Sequence, residues 1–120
     1  MANILYRVRQ PFNVNSFALA AASAVLQDEA YLENGKRINK AGLIQVGEGL
    51  AALGLSYIPS VGNFICFDVK TDGAKVYQAL LEKGVIVRPL ANYGMPHHLR
   101  VSIGLKSENQ RFLDALASVL

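Results

Sequence analysis

The sequence is poor in cysteine, in charge and in long apolar runs. One cysteine in 120 residues, Cys66, excludes an internal disulfide framework and fits a reducing compartment, the cytosol. Set between Ile65 and Phe67, it reads as a small buried hydrophobe. Charged residues make up 18% of the chain and apolar ones 52%. That balance argues against disorder, and a single domain of this length, residues 1–120, builds a core without disulfides or metal. The net charge of +3 comes from scattered basic residues. With no basic run, neither a nucleic-acid arm nor a patch for anionic membranes is expected. The apolar run at 18–26 is far too short to cross a bilayer. Met1-Ala2-Asn3-Ile4 lacks the basic start and apolar stretch of a signal peptide. No phosphate-cradling glycine loop and no Gly-x-Ser-x-Gly elbow occurs. His97 and His98 are the two histidines. Neighbours in an extended segment face opposite ways, and no cysteine or carboxylate stands at ligand spacing, so no metal is expected.

What is present is a change of rhythm. Residues 2–9 look like the tail of a helix that Gln10-Pro11-Phe12 stops. Asn13-Val14-Asn15-Ser16 offers caps for a helix over 16–26. That helix is apolar almost all round, which predicts burial between other elements. Asp28 can cap a longer helix to Leu53, whose later half carries Leu43, Val46, Leu50 and Leu53 on one face, with Gly54 as the stop. Thereafter come a short strand over 56–59, a stronger one over 63–69, and a helix from Thr71 or Asp72 to Lys83. A strand over 85–88 closed by Pro89, a loop over 91–98 and a strand over 99–103 follow. Ser107-Glu108-Asn109-Gln110 fits a capping box for the last helix. The order predicts an α+β fold: a small mixed or antiparallel sheet with helices packed mainly on one face.

Two arginines stand out, in Val85-Ile86-Val87-Arg88-Pro89 and Leu99-Arg100-Val101-Ser102-Ile103. No acidic residue separates them, and a buried guanidinium without an anion is costly. Alternation puts Arg100 and Ser102 on the side of the sheet opposite Leu99, Val101 and Ile103. There a planar, bidentate donor suits a carboxylate or phosphate of a small-molecule ligand. An ordinary surface arginine, or an ion pair with a residue such as Asp68, fits the same spacing. Asn63 either closes a turn or aims a polar group at a ligand. Tyr93 either lines a pocket or simply packs.

These residues also carry a family likeness. Arg9-Gln10-Pro11-Phe12-Asn13-Val14-Asn15, Gly62-Asn63-Phe64, Gly84-Val85-Ile86-Val87-Arg88-Pro89, and Tyr93-Gly94-Met95-Pro96 with Leu99-Arg100-Val101-Ser102-Ile103-Gly104 together resemble the C-terminal part of the histidinol-phosphate aminotransferases. These belong to the pyridoxal-phosphate (PLP) dependent, aspartate-aminotransferase-like family. The likeness runs from about Leu5 to Leu120. It implies a small aminotransferase domain, with residues 1–12 the tail of an inter-domain helix and its connector. It implies amino transfer between histidinol phosphate and 2-oxoglutarate, in histidine biosynthesis, by a cytoplasmic homodimer using PLP. Arg100 matches the arginine that grips the substrate carboxylate, and Arg88 the one that helps hold the substrate phosphate. The family's Schiff-base lysine has no counterpart among Lys36, Lys40, Lys70, Lys75, Lys83 and Lys106. The resemblance therefore implies half of a substrate clamp, completed by a missing large domain, with no cofactor bound by this chain alone and no activity of its own. A free-standing module that binds small anions or another protein is the alternative.

Overall fold

The structure, a computed structural model, describes Ile4, Arg7, Val8 and residues 12–120. Ile4, Arg7 and Val8 are helical; the rest of the helix tail expected over 2–9, and the stop at Gln10-Pro11, lie outside the described residues. Contacts divide the chain into two compact units, 1–35 and 36–120.

In the first unit, helix α1 spans Ser16–Val25. Asn15 caps it, its Oδ1 accepting the Ala18 N–H at 2.9 Å, which leaves one fewer bare donor at the helix start. Helix α2, Glu29–Ala52, starts here with Asp28 accepting the Tyr31 N–H at 2.9 Å. The burial expected of α1 is not found: none of its residues is buried, and Phe17 is 87% exposed. A helix without charges announces a need for cover, but cover must come from other elements.

The second unit holds the sheet. The later part of α2 buries Val46 and Leu50 completely, with Leu43 and Leu53 packed at the border. Gly54 ends it at φ +71°, a left-handed backbone that glycine adopts without strain. Strands β1 (Tyr57–Ile58), β2 (Phe64–Asp68), β3 (Arg88–Leu90) and β4 (Met95–Ser102) form one sheet. Their order is β1-β2-β4-β3, every pair antiparallel. Helix α3, Gly73–Glu82, is capped by Asp72, and α4 spans Lys106–Ala117. The core gathers Phe67 and Leu99 from the sheet with Leu50, Leu80, Phe112 and Leu116 from the three helices. Phe67 and Phe112 meet edge to face at 5.7 Å, a favoured aromatic geometry. The helices of this unit thus cover one face of an antiparallel sheet, the α+β arrangement the sequence predicts. Among the described residues no helix is long and apolar enough to cross a membrane.

Three boundaries differ from expectation. Pro89 does not close a strand over 85–88 but sits inside β3; β3 is an edge strand, where a missing N–H can point away from the ladder. The stretch expected as a loop over 91–98 is instead a 3-10 turn, Ala91–Tyr93, followed by the first half of β4. Pairing with Leu90 and Asp68 draws Met95 and His98 into the sheet. The last helix is capped two residues early, at Leu105. The Glu108 carboxylate accepts the Leu105 N–H at 2.7 Å, but leucine has no side-chain acceptor to return the bond, so only half of a capping box forms.

Candidate functional site

The side of the sheet away from the second unit's helices carries the chemistry. Register pairs Phe64 with Ser102, Cys66 with Arg100 and Asp68 with His98, and Arg88 with Arg100. Directly paired residues share a face. Because Leu99 and Val101 are buried in the core, alternation places these seven side chains on the other face. Arg88 and Arg100 therefore project from neighbouring strands toward one side.

Neither guanidinium is buried: Arg88 is exposed and Arg100 half-buried. Each rests on an aromatic ring. The Arg100 guanidinium carbon lies 4.8 Å from the Phe64 ring centre. That of Arg88 lies 5.7 Å from the Tyr93 ring, and its Nη2 donates to the Tyr93 hydroxyl at 3.2 Å. Such contacts hold a flexible cation in place without neutralising it. Among the described residues neither arginine makes an ion pair. Asp68, the acid considered from sequence, faces His98 in register and accepts the Lys70 N–H at 2.7 Å. Like charges directly opposite on adjacent strands destabilise a sheet by roughly 0.2–1 kcal/mol. An anion bridging the two arginines removes that cost.

The other sequence candidates are placed as follows. Asn63 stands exposed in the bend before β2, and its carbonyl accepts the Ile103 N–H at 2.8 Å. Tyr93 is 62% exposed and touches Arg88, so it does not simply pack. Cys66 is half-buried on the arginine face opposite Arg100, not a core residue; its apolar neighbours in sequence, Ile65 and Phe67, point the other way. His97 bonds the Thr71 carbonyl through Nδ1 at 2.6 Å. Among the described residues the buried Nδ1 of His98 has no hydrogen-bond partner. No three His, Cys, Asp or Glu side chains cluster among the described residues. Phe64, the seat of Arg100, went unnoticed as a site residue; its spacing of two from Cys66 on the arginine side of β2 was the available signal.

Concavities on the helical side are lined differently, though the one at Gln45 and Asn109 also carries Arg37 and Lys106. One of about 560 Å³ between α2 and α4 is lined by Ile44, Leu53 and Leu113 among others, with no convergent positive charge. Another, of about 450 Å³, reaches Gln45, Gly104 and Asn109. There the amide of Asn109 is already bonded to Gly104 and Gln45.

The sequence and the fold are matched by a known family. The model of the class I and II aminotransferases matches residues 1–116, and the chain belongs to that family. It is 61% identical over its whole length to a histidinol-phosphate aminotransferase of Pseudomonas fluorescens strain Pf0-1, covering 32% of that protein. The chain thus spans about a third of the length of the curated relatives it matches. Among solved structures, the histidinol-phosphate aminotransferase of Clostridium acetobutylicum superposes with TM-score 0.79 at 27% identity, over 98% of this chain and 37% of that one. That of Sinorhizobium meliloti, solved with pyridoxal-5'-phosphate, gives TM-score 0.78 at 25% identity, over 98% and 33%. The family is PLP-dependent.

Attachment of PLP needs a lysine amine. None of the six lysines lies in a strand of the sheet. Lys70, which follows β2, donates its Nζ to the Gly54 carbonyl at 2.6 Å.

Proposed function

We propose that this chain is the substrate-binding small domain of a histidinol-phosphate transaminase, with residues 1–12 as the tail of an inter-domain helix. The carrying observation is the direct pairing of Arg88 with Arg100 on the uncovered face, each seated on a ring and neither ion-paired among the described residues. Amino transfer between histidinol phosphate and 2-oxoglutarate requires one site to take a phosphate monoester and a dicarboxylate in turn. Two adjacent guanidiniums meet that demand. Arg100, half-buried and opening its donors to the face, grips carboxylate. Arg88, at the sheet edge, holds phosphate, and Asn63 makes a weaker contact at the rim. When bound in a complete enzyme, PLP supplies the electron sink for the chemistry; in this reading a large domain and a second subunit hold it, and this chain binds none alone. The 61% identity to the Pseudomonas relative supports the branch, and the lone cysteine supports a cytoplasmic setting.

The test is a chimera in which these 120 residues replace their counterpart in the P. fluorescens relative. Losing a charge-assisted bidentate contact costs about 1.5–3 kcal/mol, roughly ten- to a hundredfold in affinity. Arg100→Ala raises KM for both substrates by that factor. Arg88→Ala raises KM for histidinol phosphate more than for 2-oxoglutarate. Unchanged kinetics for Arg100→Ala overturns the assignment and leaves the free-standing anion-binding module as the better reading.

A further inference from the structure

We infer that Tyr93 is a specificity-determining residue: its hydroxyl completes, with Arg88, a composite site for a tetrahedral phosphate monoester. This rests on the reading of Arg88 as the phosphate holder. The hydroxyl accepts a hydrogen bond from Arg88 Nη2 at 3.2 Å. A phenol has one proton to give and accepts through oxygen. The bond to Arg88 uses an acceptor site and leaves the proton free. Among the described residues the Tyr93 side chain makes no other hydrogen bond, and the residue is 62% exposed, so a ligand reaches it from solvent.

The two arginines differ in this respect. Arg100 lies against Phe64, whose ring offers no hydrogen-bonding group, so every donor of its planar fork remains for a planar carboxylate. Arg88 gives one donor to Tyr93 and receives a neutral O–H donor beside it. A carboxylate has two oxygens in one plane and is served by a fork alone. A phosphate monoester presents three oxygens in a tetrahedron, and a donor beside the fork takes the third. The backbone sets the hydroxyl in place. Tyr93 ends the 3-10 turn Ala91–Tyr93, and Gly94 follows at φ +75°, its N–H closing on the Ala91 carbonyl at 3.0 Å. That tight reversal turns the chain from β3 into β4 and leaves the tyrosine five residues from the arginine it meets.

Tyr93→Phe removes the hydroxyl and keeps the ring, so a packing role alone forecasts no change. In the 120-residue chain, the Arg88 side-chain Nε–H signal is followed by NMR during titration with inorganic phosphate and, separately, acetate. The expected result is an affinity for phosphate about tenfold lower in Tyr93→Phe, the size of one hydrogen bond to a charged group, with acetate unaffected. In the chimera, Tyr93→Phe raises KM for histidinol phosphate about tenfold and leaves KM for 2-oxoglutarate and kcat as they were. Identical phosphate titrations for the two proteins overturn the inference, whether or not the chimera assembles. Selective loss of histidinol phosphate use in Arg88→Ala together with unchanged Tyr93→Phe also overturns it, while sparing the proposed function. An Arg88→Ala variant without selective loss removes the phosphate role of Arg88, and the inference falls with it.

Discussion

The same substitution in one helix should act in opposite directions at two positions. Gly35 and Gly42 both lie in α2. Alanine in a helix interior is worth about 1 kcal/mol over glycine. At Gly35, exposed, an added Cβ meets nothing within 4 Å, so Gly35→Ala should stabilise by about 0.5–1 kcal/mol. At Gly42, which is buried, the Cβ lands on the Ile103 Cγ2 and 2.9 Å from the Asn109 Nδ2. Overpacking of this kind costs about 1–3 kcal/mol. Asn109 is only 3% exposed. It accepts the Gly104 N–H at 2.9 Å and donates to the Gly104 carbonyl and to Gln45 Oε1, both at 3.2 Å. Pushing that amide aside leaves buried polar groups unpaired, a further cost of about 1–3 kcal/mol. After subtracting the propensity gain, Gly42→Ala should lose about 1–5 kcal/mol. For a chain of this length that is a fall in Tm of roughly 4–20 °C. Thermal and urea melts followed by circular dichroism read both variants. A Gly42→Ala protein as stable as its parent, or shifts of one sign for both variants, refutes the close approach of α2 to Asn109 and Ile103.

Phe64→Leu removes the ring beneath Arg100 and should raise KM for both substrates in the chimera about two- to fivefold, the worth of a partly exposed cation–π contact; KM values equal to the parent's would show the ring to be a bystander. Incubation with PLP followed by borohydride reduction and peptide mapping should give slow, scattered labelling of the six lysines. Stoichiometric reduction at a single lysine would contradict the proposed division of labour. Phe12 and Phe17 are 97% and 87% exposed, and contiguous exposed apolar surface marks an interaction face. Sedimentation velocity should therefore show concentration-dependent self-association that Phe17→Glu weakens, and a monodisperse monomer at high concentration would argue against it.

The candidate site is partly legible in the sequence. Arg88 and Arg100 drew notice because positive side chains interrupt apolar runs, a local conflict that functional sites tolerate. Their sharing of a face was also legible in outline, since strand alternation has a fixed period of two. Their direct pairing was not, because register depends on which strands meet and where the bulge between Pro89 and Leu90 falls. That the rings of Phe64 and Tyr93 lie against them is not legible for the same reason. Phe64 reaches Arg100 across a strand pair, and Tyr93 reaches Arg88 only because a 3-10 turn folds it back.

By itself the sequence determined the element order, the helix stop at Gly54 and the cap at Asp28, and it narrowed the caps of α1 and α3 to residues 13–16 and to Thr71 or Asp72. Those depend on backbone sterics and on hydrogen bonds between near neighbours. It also determined the core faces of β4 and of the later half of α2, through periodicity. Only the tertiary structure decided that β3 begins at Arg88, that β4 takes in His97 and His98, that Cys66 faces the arginines, and that α1 stays uncovered. A strand exists only where another strand satisfies its backbone, and a side chain is buried only if something lies over it. Both conditions are supplied by residues distant in the chain, which local patterns of charge and hydrophobicity do not record.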